Sequence, residues 1–405
     1  MHVGFLSPEY VLPGRYDGGL ANYIYKTAHA LISRGQRVTV FVLSDQDRSS
    51  NDGQVKVMEV KRVQTALIGL PGKPAALINA LLPALDQIRS SRRIAHFVWK
   101  EHHSDPFDVL QTSSFLVPGF TMRKNGRIPL VCRISSYSPV LRSSYGRPRN
   151  LPEYLCDWLE LRQIVDSEAI FSPSQFCLAL LERLEAVQSD LLRTPVDFAR
   201  IEPDASLYEE KFAGARYLLF FGILSRTKGV DLIADAIPDV LALHPDIHFA
   251  FVGRDDGMPG GLKMKDFVLS RCQAQKEHIH FLPAVPKPQL YSIIAHAVGV
   301  LMPSRVDNYP NACLEAQMLG TPVIGSRNSS LDEMIEDGRT GFLVENGNSR
   351  ELGEAINRLL GLDEGAYRAM QQANLAWIDS LGREDRIGQL IHYYEDVIRR
   401  FNGRQ

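Results

Sequence analysis

The sequence has few cysteines, and their spacing is not that of a disulfide framework. Its 405 residues include five cysteines, at positions 132, 156, 177, 272 and 313. Their number is odd, their spacing is wide and no Cys-x-x-Cys pair occurs. These features argue against a disulfide scaffold or a structural zinc site, and they favour a reducing compartment.

A leader and long apolar runs are also missing. The amino terminus, MHVGFLSPEY, lacks the basic region and the apolar core of a signal peptide. The longest apolar runs, such as YLLFFGIL, are far too short for a membrane-spanning helix. We therefore expect a soluble protein of the cytoplasm.

The chain has no large excess of charge. The formal net charge is -2, with 45% hydrophobic and 23% charged residues, so the composition indicates an ordinary globular protein and not a nucleic-acid binder. Basic residues do cluster in the first half, at 88–100 and 141–149. We interpret these clusters as a solvated basic face. The alternative is peripheral contact of the N-terminal domain with lipid headgroups or an anionic acceptor.

Short apolar strands alternate with amphipathic helices, and the alternation occurs twice. HVGFLS, GGLANYIYKTAHALISRG and RVTVFVLS form a strand, a helix and a strand, and YLLFFGIL begins the same pattern at residue 217. Nearly continuous apolar strands are typical of buried parallel sheets. We predict an α/β protein of two Rossmann-like, doubly wound domains that face a central cleft. The stretch 195–215 is polar and contains proline, so we place the domain boundary there. The N-terminal domain then comprises residues 1–205, and the C-terminal domain comprises residues 206–385.

The segment DNYPNACLE, which begins at Asp307, places acids and amides around the start of a predicted helix. Asn308 is suited to cap this helix and Pro310 to its first turn. Open N–H groups near Ala312 would then form an anion site, and helical spacing turns Glu315 towards the same ligand. A carboxylate can accept hydrogen bonds from the diol of a ribose, and Asp307 can do the same for a second sugar. The segment therefore predicts a nucleotide-sugar site.

The same segment resembles the Glu-x7-Glu motif of retaining glycosyltransferases of the GT-B fold, in glycosyltransferase family 4 (glycosyl transferases group 1). The first acid is Asp307 instead of glutamate, which keeps the charge and shortens the reach by one methylene. The resemblance implies that Asp307 contacts the donor sugar and Glu315 the ribose. It also implies that a final helix, 386–405, packs back on the N-terminal domain. The donor-contacting loop would comprise Asn308, Tyr309, Pro310, Asn311 and Ala312.

A second segment, GILSRTKGVD, resembles the Gly-Arg-x4-Lys-Gly signature of that family. Lys228 matches the lysine, but Ile223 stands at the arginine position. Arg226, two residues before Lys228, could supply the second cation. The resemblance implies that the two cations neutralise the donor diphosphate. The alternative is a solvated turn.

Three further sites are weaker matches to the family. The segment GRYDGGLANY lacks the Gly-x-Gly-x-x-Gly fingerprint of dehydrogenases. Its Gly18 and Gly19 match the glycine loop of the family's first domain, which implies contact with the diphosphate. The alternative is a turn that needs positive φ. Leu282 and Val285 match a segment that reads the nucleobase, and a plain strand end is the alternative. Ser135 stands where many members have an acceptor-side histidine.

The resemblance implies a hexosyltransferase that retains anomeric configuration, with Asp307, Lys228 and Arg226 as its catalytic residues. The donor would be a UDP- or GDP-linked sugar, and the acceptor a glycan, a glycolipid or a small-molecule glycoside precursor. We expect no metal and no other cofactor, because the Asp-Gln-Asp at 45–47 does not lie where a metal-binding motif would. The alternatives are a non-catalytic or inverting GT-B homologue and a two-lobed sugar-binding module.

Overall fold

The computed structural model describes residues 1–12, 18–66, 73–144, 148–195, 202–255, 257 and 261–404. The chain divides into two compact units. The first comprises Met1–Asp197 and Asp385–Gln405, and the second comprises Phe198–Glu384. Parts of two predicted segments, residues 14–17 of the glycine loop and 196–201 of the boundary stretch, lie outside the described residues.

An eight-stranded sheet forms the centre of the first unit. Its strands are β1 (His2–Ser7), β2 (Arg37–Ser44), β3 (Arg48–Asp52), β4 (Val55–Lys61), β5 (Val109–Ser113), β6 (Leu130–Arg133), β7 (Ala169–Ser172) and β8 (Asp190–Leu191). Its helices begin with α1 (Gly19–Ser33), α2 (Lys73–Ser104), α3 (Ser138–Ser143), α4 (Leu151–Val165) and α5 (Gln175–Glu185). The strand order is β3-β4-β2-β1-β5-β6-β7-β8, and β3 runs antiparallel to β4 while the other neighbouring pairs are parallel.

The first strand–helix–strand unit follows directly from the sequence pattern. β1 is buried along its whole length, and β2 is buried after its first residue. On α1, Ala21, Ile24, Ala28 and Leu31 recur every three or four residues and are buried, so one face of the helix packs on the sheet. Gly35 ends the helix with φ 75°, the left-handed conformation that glycine adopts readily.

A six-stranded parallel sheet forms the centre of the second unit. Its strands are β9 (Arg216–Phe221), β10 (Ile247–Val252), β11 (Ile279–Leu282), β12 (Gly299–Met302), β13 (Val323–Ser326) and β14 (Gly341–Val344). Its helices are α6 (Ser206–Phe212), α7 (Val230–Leu243), α8 (Met264–Arg271), α9 (Lys287–His296), α10 (Asn311–Met318), α11 (Ser349–Leu360) and α12 (Glu364–Gly382). The strand order is β11-β10-β9-β12-β13-β14. The order reverses between β9 and β12, and ligands of such sheets bind beyond the carboxyl ends of the strands at that point.

The last helix, α13 (Arg386–Asn402), belongs to the first unit. Leu390 and Val397 are buried in the same hydrophobic core as β1. Tyr394 is fully buried, and its hydroxyl donates to Oε1 of Gln111 on β5 at 2.5 Å. The helix is therefore an integral layer of this unit.

The longest helix, α2, has 32 residues, which is enough to cross a bilayer. Its sequence is too polar for that role. Within the described ranges, no helix is both long enough and apolar enough to span a membrane.

Candidate active site

The turn between β9 and α7 carries Lys228, and a glycine brings it close to the loop after β12. Gly229 adopts φ 73°. A Cβ atom at this position would lie 2.0 Å from the carbonyl oxygen of Pro303. Only glycine permits both the left-handed backbone and this approach, so the two loops touch here.

Lys228 and Asp307 form an ion pair across these two loops. Nζ of Lys228 donates to Oδ2 of Asp307 at 2.7 Å. The side chains are 33% and 14% exposed, respectively. An ammonium group has three donors, so Lys228 can keep this contact and still bind a ligand from the solvent side.

Arg226, predicted as the second cation of the site, takes part in a separate ion-pair cluster. Its Nε lies 3.6 Å from Oδ2 of Asp231, in the first turn of α7. Arg305 donates to both carboxylate oxygens of Asp231, at 2.7 and 2.8 Å. The guanidinium of Arg305 also donates to the carbonyl oxygen of Arg226 at 2.5 Å. The backbone N–H of Arg305 donates to the carbonyl oxygen of Thr227 at 2.8 Å. This cluster fixes the turn that carries Lys228.

Arg305 and Asp231 were not among the residues predicted from the sequence. The signal that could have revealed them is their position. Arg305 lies two residues before Asp307, and Asp231 lies three residues after Lys228. Each of the two segments thus contains one cation and one acid, close together in sequence. This pattern indicates that the segments are in contact, with each cation paired to the acid of the other segment.

The backbone of the Asp307 loop is strained and is held by a buried hydroxyl. Tyr309 is buried and adopts φ 55°, which is uncommon for a residue with a side chain. Its N–H donates to Oγ of Ser330 at 2.6 Å, and the same hydroxyl donates to the carbonyl oxygen of Asp307 at 3.1 Å. Ser330 was not predicted, because a serine after β13 has no distinctive pattern.

The start of α10 differs from the prediction in two respects: Asn308 is not its cap, and Pro310 lies before its first turn. Asn308 does not cap the helix: α10 begins at Asn311, Pro310 occupies the cap position and makes no side-chain cap hydrogen bond. Tyr309 adopts the left-handed conformation, which a right-handed helix does not contain, so the helix begins only after this residue. Backbone N–H groups at Asn311 and Ala312 therefore have no side-chain cap, and such groups attract anions.

Glu315 lies in the second turn of α10 and is half-buried. Cys313 and Leu314 of the same helix are buried. Positions 311, 312 and 315 are half-buried, and their spacing of three or four residues places them on one face. A carboxylate on this face can accept hydrogen bonds from a diol.

The predicted base-reading residues lie at the same edge of the sheet. Leu282 is the last residue of β11, and its carbonyl oxygen accepts a hydrogen bond from the N–H of Gly253, just after β10. Leu282 and Val285 are both half-buried. The structure therefore places them at the carboxyl edge, where backbone groups can approach a flat ligand.

In the first unit, Gly18 and Gly19 lie at the start of α1. Gly18 is the cap residue, with φ -75° and ψ 173°. Gly19 is not among the positive-φ glycines, and a Cβ atom there would meet no atom within 4 Å. A turn that needs positive φ, the alternative explanation of these glycines, is therefore wrong at both positions.

Ser135 lies two residues beyond the end of β6 and is half-buried. Its Oγ accepts a hydrogen bond from Nη1 of Arg133 at 3.1 Å. The residue thus lies at the carboxyl edge of its sheet, as Lys228 and Asp307 do in the second unit. Arg133 was not predicted as a site residue.

The second unit thus presents a lysine, an uncapped helix start and two carboxylates at the end of the sheet. The first two can hold phosphate oxygens, and the carboxylates can accept hydrogen bonds from sugar hydroxyls. In the part of the chain that the structure describes, no group of three or more His, Cys, Asp or Glu side chains is arranged to hold a metal ion.

The chain is similar to known proteins over most of its length. A model of glycosyl transferases group 1 matches residues 215–361, and a model of glycosyltransferase family 4 matches residues 17–200. The D-inositol 3-phosphate glycosyltransferase of Corynebacterium jeikeium is 25% identical over 397 residues, which cover 90% of each chain.

Solved structures show the same fold. Sucrose-phosphate synthase from Thermosynechococcus elongatus has a TM-score of 0.78 at 17% identity and covers 98% of both chains. The Anabaena protein HepE, solved with UDP-glucose, has a TM-score of 0.69 at 18% identity and covers 98% of this chain and 99% of its own. The two Rossmann-like units have the GT-B fold of these enzymes. The chain belongs to the group 1 glycosyltransferases of glycosyltransferase family 4.

Proposed function

We propose that the protein is a retaining glycosyltransferase that moves a sugar from a UDP- or GDP-linked donor to a hydroxyl group of its acceptor. The ion pair between Lys228 and Asp307, beside the uncapped start of α10, supports this proposal most. The lysine and the helix amino terminus can bind the diphosphate, and the aspartate beside them can bind the sugar.

Each group has a role in the transfer. Lys228 and the first N–H groups of α10 hold the negative charge that grows on the leaving diphosphate. Arg226, which is 42% exposed, adds positive charge beside Lys228. Asp307 orients the donor sugar and Glu315 accepts hydrogen bonds from the ribose. The acceptor oxygen bonds to C1 on the face from which the diphosphate leaves, as the bond from C1 to the diphosphate oxygen breaks. The leaving diphosphate takes the proton of the attacking hydroxyl, so no carboxylate nucleophile is required.

We propose that the reaction needs no metal ion, because the lysine, the arginine and the helix start supply the positive charge. The test is the transfer rate in EDTA. An unchanged rate supports the proposal, and a loss that Mg²⁺ or Mn²⁺ restores contradicts it.

The similar proteins narrow the choice of donor and acceptor. HepE was solved with UDP-glucose, and the relatives include D-inositol 3-phosphate glycosyltransferases. A UDP-sugar is therefore the first donor to test. We propose that the acceptor is a carbohydrate, a glycolipid or a small polyol.

The decisive experiment is isothermal titration of UDP- and GDP-sugars and of the free nucleotides against the wild type and Asp307→Ala. We expect one nucleotide to bind, and the extra affinity from its sugar to disappear in Asp307→Ala. Asp246→Ala is the matched control, because Asp246 forms an exposed ion pair with Arg216 in the same unit.

Three results would contradict the proposal. No binding of any nucleotide would favour a non-catalytic homologue. Binding of a free sugar without a nucleotide would favour a sugar-binding module. A product whose anomeric proton shows inverted configuration by NMR would identify an inverting enzyme.

We also propose that the first unit contacts membranes peripherally, from the cytoplasmic side. Leu151, Tyr154 and Trp158 on α4 are 50%, 52% and 55% exposed, and aromatic and leucine side chains suit the boundary between headgroups and acyl chains. Two acids near this face each pair with more than one cation: Asp157 with Arg142 and Arg149, and Asp166 with Arg123, Lys124 and Arg162. The surplus positive charge favours anionic lipids.

Co-sedimentation with vesicles tests this contact. We expect binding to vesicles that contain phosphatidylglycerol, weaker binding to pure phosphatidylcholine, and a loss of binding in Trp158→Ser. Leu243→Ser, at a residue that is 66% exposed in the second unit, is the control. Equal sedimentation of the two variants would contradict the proposed surface.

A further inference from the structure

Among the residues that the structure describes, Arg133 is a buried arginine that forms no ion pair with an acid. It is the last residue of β6 and is 6% exposed. Among the described residues, Nη1 donates to Oγ of Ser135 at 3.1 Å and Nη2 donates to Oγ1 of Thr194 at 3.3 Å. The buried Nε has no partner in the same set of residues. Both acceptors are neutral hydroxyls, although a guanidinium has five N–H groups and a full positive charge.

Such an arrangement is costly. A buried charge is stabilised only when an opposite charge and further hydrogen bonds accompany it. Other arginines of this chain have such partners: Arg305 has Asp231, and Arg123 has Asp166. Burial lowers the pKa of Arg133, because removal from water disfavours the cation.

The amino-terminal end of α1 adds positive potential at the same place. The guanidinium of Arg133 lies 3.7 Å from the centre of the Tyr23 ring, in the second turn of α1. The cap residue, Gly18, makes no side-chain cap hydrogen bond, and the first turn contains no acid. A helix start of this kind carries partial positive charge and attracts anions. Two sources of positive potential therefore converge, and neither is neutralised by an acid of the described residues.

The position in the sheet suits a ligand. α1 follows β1, and Ser135 follows β6, so both lie beyond carboxyl ends of parallel strands. β5 lies between them, and its Gln111 accepts a hydrogen bond from Tyr394 and lies 3.5 Å from the hydroxyl of Tyr23. This contact holds the aromatic ring against Arg133. Ligands of such sheets bind at this edge.

We propose that Arg133, Ser135 and the start of α1 form a binding site for a phosphate group of a substrate. The phosphate supplies the missing negative charge, and its oxygens match the planar fork of the guanidinium. The inference rests on the proposed function and deepens it, because it assigns a phosphate-bearing co-substrate to the first unit. Both a phosphorylated acceptor and the donor diphosphate have the required chemistry.

The first experiment measures thermal unfolding in inorganic phosphate, with sodium chloride at equal ionic strength as the reference. All proteins carry Lys228→Met, which removes the lysine of the nucleotide site. Arg133→Met removes the charge and keeps the length of the side chain. Arg123→Met is the matched control, because Arg123 also stacks on an aromatic ring, at 3.6 Å from the centre of Phe120, but is paired with an acid.

We expect phosphate to raise the unfolding temperature of the parent and of Arg123→Met, and to have no such effect on Arg133→Met. Without phosphate, Arg133→Met should be at least as stable as its parent, because a buried charge without a partner has been removed. Arg133→Lys, which keeps the charge and loses the fork, should retain a reduced response. An unchanged phosphate response in Arg133→Met, or a failure of that variant to fold, would overturn the proposal.

The second experiment identifies the source of the phosphate, with Lys228 restored. Titrations compare UDP with uridine, and myo-inositol 1-phosphate with myo-inositol in the presence of UDP. If the donor supplies the phosphate, Arg133→Met weakens UDP binding about tenfold or more. If the acceptor supplies it, only the phosphorylated polyol loses affinity. Equal affinities of wild type and Arg133→Met for both ligands would contradict the site.

These results separate two failures. A wild type that binds no nucleotide but keeps the Arg133-dependent phosphate response would refute the proposed function and leave the phosphate site intact. A wild type that binds a nucleotide through Lys228, with a phosphate response that is the same in Arg133→Met, would refute the phosphate site alone.

Discussion

Replacing Asp231 with Asn should destabilise the second unit and weaken nucleotide binding together. Asp231 accepts two short hydrogen bonds from Arg305 and lies near Arg226. The Arg305 and Asp231 side chains are 16% and 11% exposed. Breaking a buried pair costs about 3–5 kcal/mol, because it leaves a charge without a partner. Residual solvent contact favours the lower end, about 3 kcal/mol, or a decrease of about 6–12 °C in the melting temperature for a unit of this size.

The binding effect has a separate cause. Arg305 holds the turn that carries Lys228, through its bond to the carbonyl oxygen of Arg226. When Asp231 no longer orients Arg305, Lys228 loses its fixed position relative to Asp307. Small displacements of a positioned group reduce binding or rate strongly, so we expect the affinity for the nucleotide to fall about tenfold or more.

The assay is a thermal melt combined with isothermal titration of the nucleotide. Arg216→Met is the control, since Arg216 forms an exposed pair with Asp246 in the same unit and its loss should cost less than about 1 kcal/mol. The double change Arg305→Met with Asp231→Leu should recover most of the stability but not the affinity. An Asp231→Asn protein with unchanged melting temperature and unchanged affinity would refute the reasoning.

Three further predictions concern single positions. Gly229→Ala should cost more than about 2 kcal/mol in a urea titration, because φ 73° and the carbonyl oxygen of Pro303 at 2.0 Å both oppose a Cβ atom. Ser330→Ala should weaken donor-sugar binding in a titration, since the N–H of Tyr309 loses its acceptor. Burial raises the pKa of Glu160 to about 7 from 4.5, so wild-type stability should fall as pH rises between those values. In urea titrations, the free energy of unfolding of Glu160→Gln should exceed that of wild type by about 3 kcal/mol at pH 8, but not at pH 4.

Elements that bury one continuous face could be predicted from the sequence. β1, α1 and β2 have the expected limits to within a few residues, because burial alone selects their pattern. The segment from Asp307 to Glu315 was also predicted as a loop followed by a helix, since a proline and polar residues precede an apolar stretch.

The details of the loops could not be predicted in the same way. Asn308 is a good capping residue in general, but the left-handed turn at Tyr309 and its bond to Ser330 override that preference. Ser330 is distant in sequence, so no local pattern reveals the contact. The pairing of Arg305 with Asp231 likewise depends on which loops lie side by side at the sheet edge, and the strand order of the fold determines this.

The two units balance charge differently at corresponding places, and this difference has a consequence. In the second unit, the side chains of Lys228 and Arg305 each have a carboxylate oxygen within 2.8 Å. In the first unit, Arg133 has only hydroxyl groups in the part of the chain that the structure describes. A site whose charges are already paired exchanges one partner for another when a ligand binds, so its net gain is modest. A site with an unpaired buried charge gains the whole interaction, so phosphate should stabilise the first unit more than the second at equal occupancy. Hydrogen exchange of β6 and of β12, with and without phosphate, measures that difference, and equal protection in both strands would contradict it.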